Sequence, residues 1–203
     1  MKVFLKLIMG MLLVFFLASC SSNPKVGRVS TDEQIDLSGY WNDTDVRLAC
    51  ESLITACLNS PRVDQAIKAM GGKTPMVIVG RFRNDSSEHI DTSIISRIME
   101  STIFNSGKMD FVAGGSTRDE LRSERQDQLS NASDYTASSI GNETGADFML
   151  TGKVTSIIDR AGNLSVRAYF VNAELTNIET NQRMWMGDYN EIKKTIKKPK
   201  ARL

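Results

Sequence analysis

The sequence predicts an α+β domain in which a β-α-β unit and a C-terminal antiparallel meander form one mixed sheet, with helices packed over it. Three observations predict this class. Apolar residues recur at helical spacing over residues 43–70. A strand, a helix and a second strand follow in order over residues 76–113. Residues 148–192 then alternate between apolar and polar side chains in three runs joined by turns.

Two helices begin the domain. Asp43 or Thr44 can cap the first, and Pro61 ends it and begins a second, shorter one. Cys50 and Cys57 lie on the apolar face of the first helix, about 10 Å apart along its axis, which is too far for a disulfide. We therefore expect two buried free thiols.

The β-α-β unit consists of "MVIVGRF", a helix with apolar residues on one side, and "MDFVA". The first run is short and rich in β-branched residues, as a central strand would be. Gly107 stands where a helix C-terminus favours glycine. Because a crossover helix joins parallel strands, we expect the two runs to pair in parallel.

A surface helix is predicted over "STRDELRSERQDQLSNAS". Thr117 and Glu120 have the spacing of a capping box, and Leu121 and Leu129 are the main candidates for burial. The segment that follows, up to Gly145, reads as another helical piece.

The last third predicts three antiparallel strands. The middle run alternates from Leu164 to Phe170 and then shifts phase at Val171. A shift of one residue would turn side chains to the wrong face unless a β-bulge absorbs it, so we expect a bulge near Phe170. The third strand is predicted over residues 184–192.

The N-terminus has the layout of an export signal. Lys2 and Lys6 precede an apolar run over residues 7–17, which is too short to span a bilayer as a finished helix. The sequence "LASC" then ends at Cys20 and looks like the lipobox of bacterial lipoproteins, in which that thiol is lipidated. Several acyl chains on one residue would hold the protein at a membrane.

These features divide the chain into four segments. We predict a lipoprotein signal peptide over residues 1–19, a lipidated cysteine with a flexible tether over residues 20–40, a folded domain over residues 41–193, and a basic tail over residues 194–203. The tether is polar and has little to bury.

Composition and motifs argue against catalysis. The formal net charge is +1, so no basic field indicates nucleic acid binding. Glu88, His89 and Asp91 could look like metal ligands, but structural sites use four N or S ligands and catalytic sites usually three. One imidazole in a polar loop before a helix is more often a cap or surface residue. No nucleophile elbow or phosphate loop is present. We expect neither an enzyme nor a cofactor or metal.

Interaction features are better represented. Arg118, Arg122 and Arg125 fall on one face of the predicted surface helix, where guanidinium groups can meet carboxylates of a partner. A solvated helix surface is the alternative explanation. Trp41, which can staple the first helix, and His89 complete the set of candidate partner-binding residues.

The ordered blocks of this sequence resemble one family. They are "YWNDTDVRL", "VIVGRFRNDSSEHIDT", "FNSGKMDFV", "STRDELRSERQDQLSNAS", "GADFMLTGKVTSI" and "VNAELTNIETNQRMWMG". In this order, behind a lipobox, they resemble the LpoB family of outer-membrane lipoproteins that activate penicillin-binding proteins.

The resemblance implies a non-catalytic regulator of peptidoglycan synthesis and cell shape. It implies a palmitate-type lipid on Cys20, the periplasmic face of the outer membrane as location, and a bifunctional penicillin-binding protein as partner. It also implies a fold similar to the N-terminal domain of TolB. The chain departs from better-known members in its short tether.

Two other functions stay open from the sequence. An accessory lipoprotein of a secretion or envelope assembly complex, curli-type or TolB-like, is the main alternative. A periplasmic hydrolase would need a nucleophile, a base and oxyanion donors in one pocket. The sequence does not determine the oligomeric state.

Overall fold

The computed structural model describes residues 26–31, 33–133, 135–138 and 141–198. The chain divides into two compact units, Met1–Glu33 and Gln34–Leu203. The described residues of the first unit form no helix or strand, and the Glu33 amide donates to the Ser30 carbonyl at 3.2 Å. Cys20 and the predicted signal segment lie outside the described residues.

The second unit is an α+β domain. Its described residues form helices α1 (Asp43–Leu58), α2 (Pro61–Ala69), α3 (Thr92–Ser106) and α4 (Gly115–Asn131). The strands are β1 (Met76–Asp85), β2 (Asp110–Phe111), β3 (Phe148–Ala161), β4 (Leu164–Asn177) and β5 (Arg183–Lys197). The sheet order is β2-β1-β3-β4-β5, parallel on both sides of β1 and antiparallel from β3 to β5. The predicted fold class is confirmed.

Helices α1, α2 and α3 cover one face of the sheet and enclose the hydrophobic core. The core includes side chains that are almost completely buried from both layers, among them Leu53, Met99, Leu150, Val171 and Leu175. In the described part of the chain, no helix packs on the opposite face, which we call the open face. None of the described helices is long and apolar enough to cross a bilayer.

The ends of the helices follow local capping chemistry. Asn42 caps α1 through a capping box with Asp45, so the predicted caps Asp43 and Thr44 were too late in the chain. Gly107 ends α3 in the left-handed conformation (φ 68°), as predicted.

The surface helix corrects two predictions. Helix α4 begins after Gly114 without a side-chain cap, so the capping box of Thr117 and Glu120 is not formed. Leu121 and Leu129 are 43% and 52% exposed, and none of the α4 residues is buried. A helix with so few apolar residues has no face to bury. The further helical piece is also absent from the described residues between α4 and Gly145.

Strand β4 keeps a single alternation. Its buried residues are the odd-numbered ones, including Arg167 and Tyr169. The predicted phase shift within β4 was therefore wrong, because the inward positions before Phe170 carry polar or amphipathic side chains instead of aliphatic ones. A register shift does lie opposite Phe170, but the extra residue belongs to β5, since Tyr169 pairs with Ile192 and Val171 with Tyr189.

Both predicted boundaries of the domain move outward. Residues 34–40, which we call the strap, belong to the same compact unit as the domain, although they were assigned to the tether. Strand β5 continues to Lys197, so Lys194 lies in the sheet and not in a basic tail. Residues 199–203 of that tail lie outside the described residues.

The buried thiols allow a direct test of the α1 packing. Cys50 and Cys57 are free and almost fully buried, and burial raises the pKa of each to about 12. Because the thiolate is the nucleophile, we expect iodoacetamide at about pH 8 to leave both cysteines unmodified in the folded protein. Peptide mass mapping should show full alkylation in denaturant. Equal rates in the two conditions would contradict this packing.

Candidate partner-binding site

A buried ion pair lies where β4 meets the loop between β1 and α3. Arg167 donates from Nη1 to Glu88 Oε1 at 2.5 Å, and the Tyr169 hydroxyl donates to the same oxygen at 2.7 Å. The Trp41 amide donates to Glu88 Oε2 at 3.2 Å. The side chains of Arg167 and Glu88 are only 9% and 8% exposed. Burial, and then the hydrogen bond to Glu88, raise the pKa of Tyr169 above its ordinary value.

Aromatic groups enclose this pair. The Tyr40 ring covers the guanidinium of Arg167, with 3.9 Å from Cζ to the ring centroid. The Trp41 and Tyr169 rings meet edge to face, with centroids 5.4 Å apart. The Tyr169 hydroxyl also lies 3.2 Å from the Gly39 carbonyl oxygen. The end of the strap is thus seated directly on the buried charges.

Lys194 forms a second polar contact under the strap. Its ammonium donates to Asp36 at 2.8 Å, to the Tyr40 carbonyl at 3.0 Å and to Asp45 at 2.7 Å. Burial lowers the pKa of Lys194, but the hydrogen bonds to Asp36 and Asp45 outweigh it and the pKa is raised. Burial raises the pKa of Asp45, and the hydrogen bond from Lys194 partly offsets this.

The predicted arginine face is largely occupied by the chain itself. Arg122 donates to both carboxylate oxygens of Glu143, at 2.9 and 3.0 Å, and Arg125 donates to Glu143 at 2.8 Å. Arg118 Nε donates to the Ala113 carbonyl at 2.8 Å. The three arginines do share one side of α4, but Glu143 already supplies a carboxylate to Arg122 and Arg125. Their role in partner binding stays a prediction.

The other two candidates differ in exposure. Trp41 is half-buried against Tyr169, where its ring has a structural use. His89 is exposed in the loop next to Glu88. No group of three possible metal ligands occurs among the described residues. Partner binding by Trp41 and His89 likewise stays a prediction.

A groove of about 620 Å³ crosses the open face over β1, β3, β4 and β5. Strand β1 carries a bulge beside this groove, where three steps from Val79 to Phe82 match two steps of β3. The bulge turns Phe82 into the core and leaves Arg81 and Arg83 on the groove side. Gly152 permits this, because a Cβ there would lie 2.2 Å from the Phe82 ring.

The groove is charged and only partly neutralised. Four cations and two carboxylates line it, namely Arg81, Arg83, Lys153, Arg183, Glu174 and Asp188. Arg183 pairs with Glu174 at 3.0 Å, and Asp188 accepts a hydrogen bond from Asn172. Sequence reasoning missed this groove. The available signal was a pair of arginines within an otherwise apolar strand, "VIVGRFR".

Comparison with known proteins identifies the family. The model of the family described as "Peptidoglycan-synthase activator LpoB" matches residues 45–191, well over half of the chain. The chain belongs to the LpoB family. The match spans most of the domain, including the groove, Glu88, Arg167 and Tyr169, and it ends before Lys194. Among curated proteins, a search finds no significant match.

Solved structures of LpoB and of another lipoprotein are similar to this chain. The LpoB C-terminal domain from Salmonella enterica shares 16% identity with a TM-score of 0.42, covering 72% of this chain and 97% of that chain. The LpoB C-terminal domain from Escherichia coli shares 16% identity with a TM-score of 0.43, covering 71% and 96%. The lipoprotein GNA1162 from Neisseria meningitidis shares 16% identity with a TM-score of 0.35, covering 63% and 87%.

Proposed function

We propose that this LpoB-family protein is anchored in the outer membrane by lipid on Cys20 and activates a bifunctional penicillin-binding protein. The family is one of peptidoglycan-synthase activators, and this membership carries the proposal. The lipobox before Cys20 supports the anchor. The role is non-catalytic: the protein would bind the active conformation of the synthase better than the inactive one and shift the population towards it.

The position of the strap constrains how the partner is reached. If Cys20 holds lipid, residues 21–33 link it to the strap and span at most about 45 Å when fully extended. The domain would therefore work close to the membrane that anchors it. A synthase rooted in the inner membrane would have to extend its periplasmic part towards this domain.

Activation can be measured with purified components. We expect the chain lacking residues 1–20 to raise the glycan polymerisation rate of its cognate bifunctional synthase, measured by consumption of lipid-linked precursor. A synthase lacking transpeptidase activity should still respond, since polymerisation is the step affected. Absence of binding and stimulation with every bifunctional synthase of the organism would refute the proposal and favour an envelope assembly role. Mass spectrometry of the natural protein tests the lipid on Cys20 separately.

A further inference from the structure

We propose that the groove on the open face is the docking surface for a carboxylate-bearing segment of the synthase. This inference rests on the proposed function and adds to it the contact surface and the chemistry of the partner. The groove lies on the face that no described helix covers, opposite the layer formed by α1, α2 and α3.

The first argument is uncompensated charge. Arg183 and both carboxylates of the groove have partners within it. The side chains of Arg81 and Lys153 make no hydrogen bond or ion pair with any residue that the structure describes. Arg83 has only an exposed contact of 3.4 Å to Asp85. Two cations therefore line the groove without an ion pair to either of its carboxylates.

The second argument is the position of those cations. Arg83 and Lys153 are register partners on the adjacent strands β1 and β3. Like charges at paired positions of neighbouring strands repel and destabilise a sheet. The folded chain thus carries a local repulsion that a carboxylate bound between these two side chains would relieve.

The third argument concerns the other lining groups. Met186 is 64% exposed on β5 at the edge of the groove. An apolar side chain of the partner can cover it while a neighbouring carboxylate reaches Arg81 and Lys153. A guanidinium can donate two parallel hydrogen bonds to one carboxylate. An acidic segment with an adjacent apolar residue matches this combination.

The test compares two charge-reversed double variants of the full-length lipoprotein in detergent. The groove variant carries Arg81→Glu and Lys153→Glu. The control carries Arg62→Glu and Lys68→Glu, two exposed cations of α2 on the helix side of the sheet, whose side chains bond to no other described residue. Both change the net charge equally. The probe is each detergent-solubilised bifunctional synthase of the organism.

We expect the groove variant to bind the cognate synthase at least about tenfold more weakly than the unmodified protein. Its affinity should also lose most of its dependence on salt, while the control keeps both affinity and salt dependence. The thermal midpoint of the groove variant should equal or exceed that of the unmodified protein, because Lys153→Glu turns a repulsive pair with Arg83 into an attractive one. Weaker binding without lower stability excludes misfolding as the cause.

Three results would overturn the inference. A dissociation constant within twofold of the unmodified protein would show that the groove is not the docking surface, while wild-type binding would leave the proposed function intact. Equal losses of affinity in the groove and control variants would show that net charge, and not the groove, determines binding. If the groove variant no longer co-sediments with purified peptidoglycan but still binds the synthase, the groove binds peptidoglycan and not the synthase. If the unmodified protein binds no synthase, the proposed function itself fails.

Discussion

Replacing Glu88 with glutamine is expected to lower the free energy of unfolding by about 3–5 kcal/mol. The substitution leaves the Arg167 guanidinium buried without its counterion, and Arg167 Nε already has no hydrogen-bond partner among the described residues. It also weakens the acceptor for the Tyr169 hydroxyl. Urea unfolding should show a lower midpoint with an unchanged slope.

The matched control for this prediction is Glu100→Gln on α3. Glu100 pairs with Arg97 at 3.7 Å, and Arg97 is exposed and Glu100 partly exposed, so loss of this pair should cost less than about 0.5 kcal/mol. Replacing both Glu88 and Arg167 with methionine should recover most of the lost stability, since removing both charges leaves none unpaired. A loss below about 1 kcal/mol for Glu88→Gln alone would mean that water reaches Arg167 in solution.

Replacing Lys194 with methionine is expected to cost about 3 kcal/mol near neutral pH. The methionine can fill the space of the lysine stem, but Asp45, whose side chain is 7% exposed, loses its counterion. The strap loses its bonds from Lys194 to Asp36 and to the Tyr40 carbonyl. Lys193→Met is the control, because Lys193 is an exposed neighbour on the same strand with no bonded side chain among the described residues.

This cost should depend on pH with a defined sign. Burial raises the pKa of Asp45, and the hydrogen bond from Lys194 lowers it, so the variant should have a still higher Asp45 pKa. A carboxyl with a raised pKa in the folded state favours folding when it is protonated. The stability difference between the variant and the unmodified protein should therefore shrink as the pH falls through the Asp45 pKa. A difference that stays constant down to acid pH would contradict the role of Asp45.

The local elements were predictable where short-range chemistry decides them. Pro61 and Gly107 mark helix ends through backbone conformation alone, and the helical spacing around Cys50 identifies the buried face of α1. The parallel pairing of β1 and β2 followed from the order strand, helix, strand. Predictions failed where apolar patterns were weak or misread, as for Leu121 and Leu129 on α4.

The candidate site was less predictable because its contacts join distant parts of the chain. Arg167 occupies an inward position of β4, which only its pairing with Glu88, 79 residues away, makes tolerable. The prediction of an arginine face had the correct spacing, but it could not show that Glu143 bonds to Arg122 and Arg125. Spacing along a helix shows which side chains share a face. It does not show which other residues of the chain those side chains already contact.

The sequence by itself determined the α+β class, the order of the five strands and the four observed helices, and the resemblance to LpoB, and it predicted a lipobox at Cys20. Each of these depends on neighbouring residues or on the order of blocks. Only the tertiary structure decided that the strap belongs to the domain, since its Tyr40 carbonyl accepts a hydrogen bond from Lys194, 154 residues away. It also decided that the β1 bulge places Arg81 on the open face. Buried charges and bulges arise from pairing between distant segments, and periodicity within one segment does not predict that pairing.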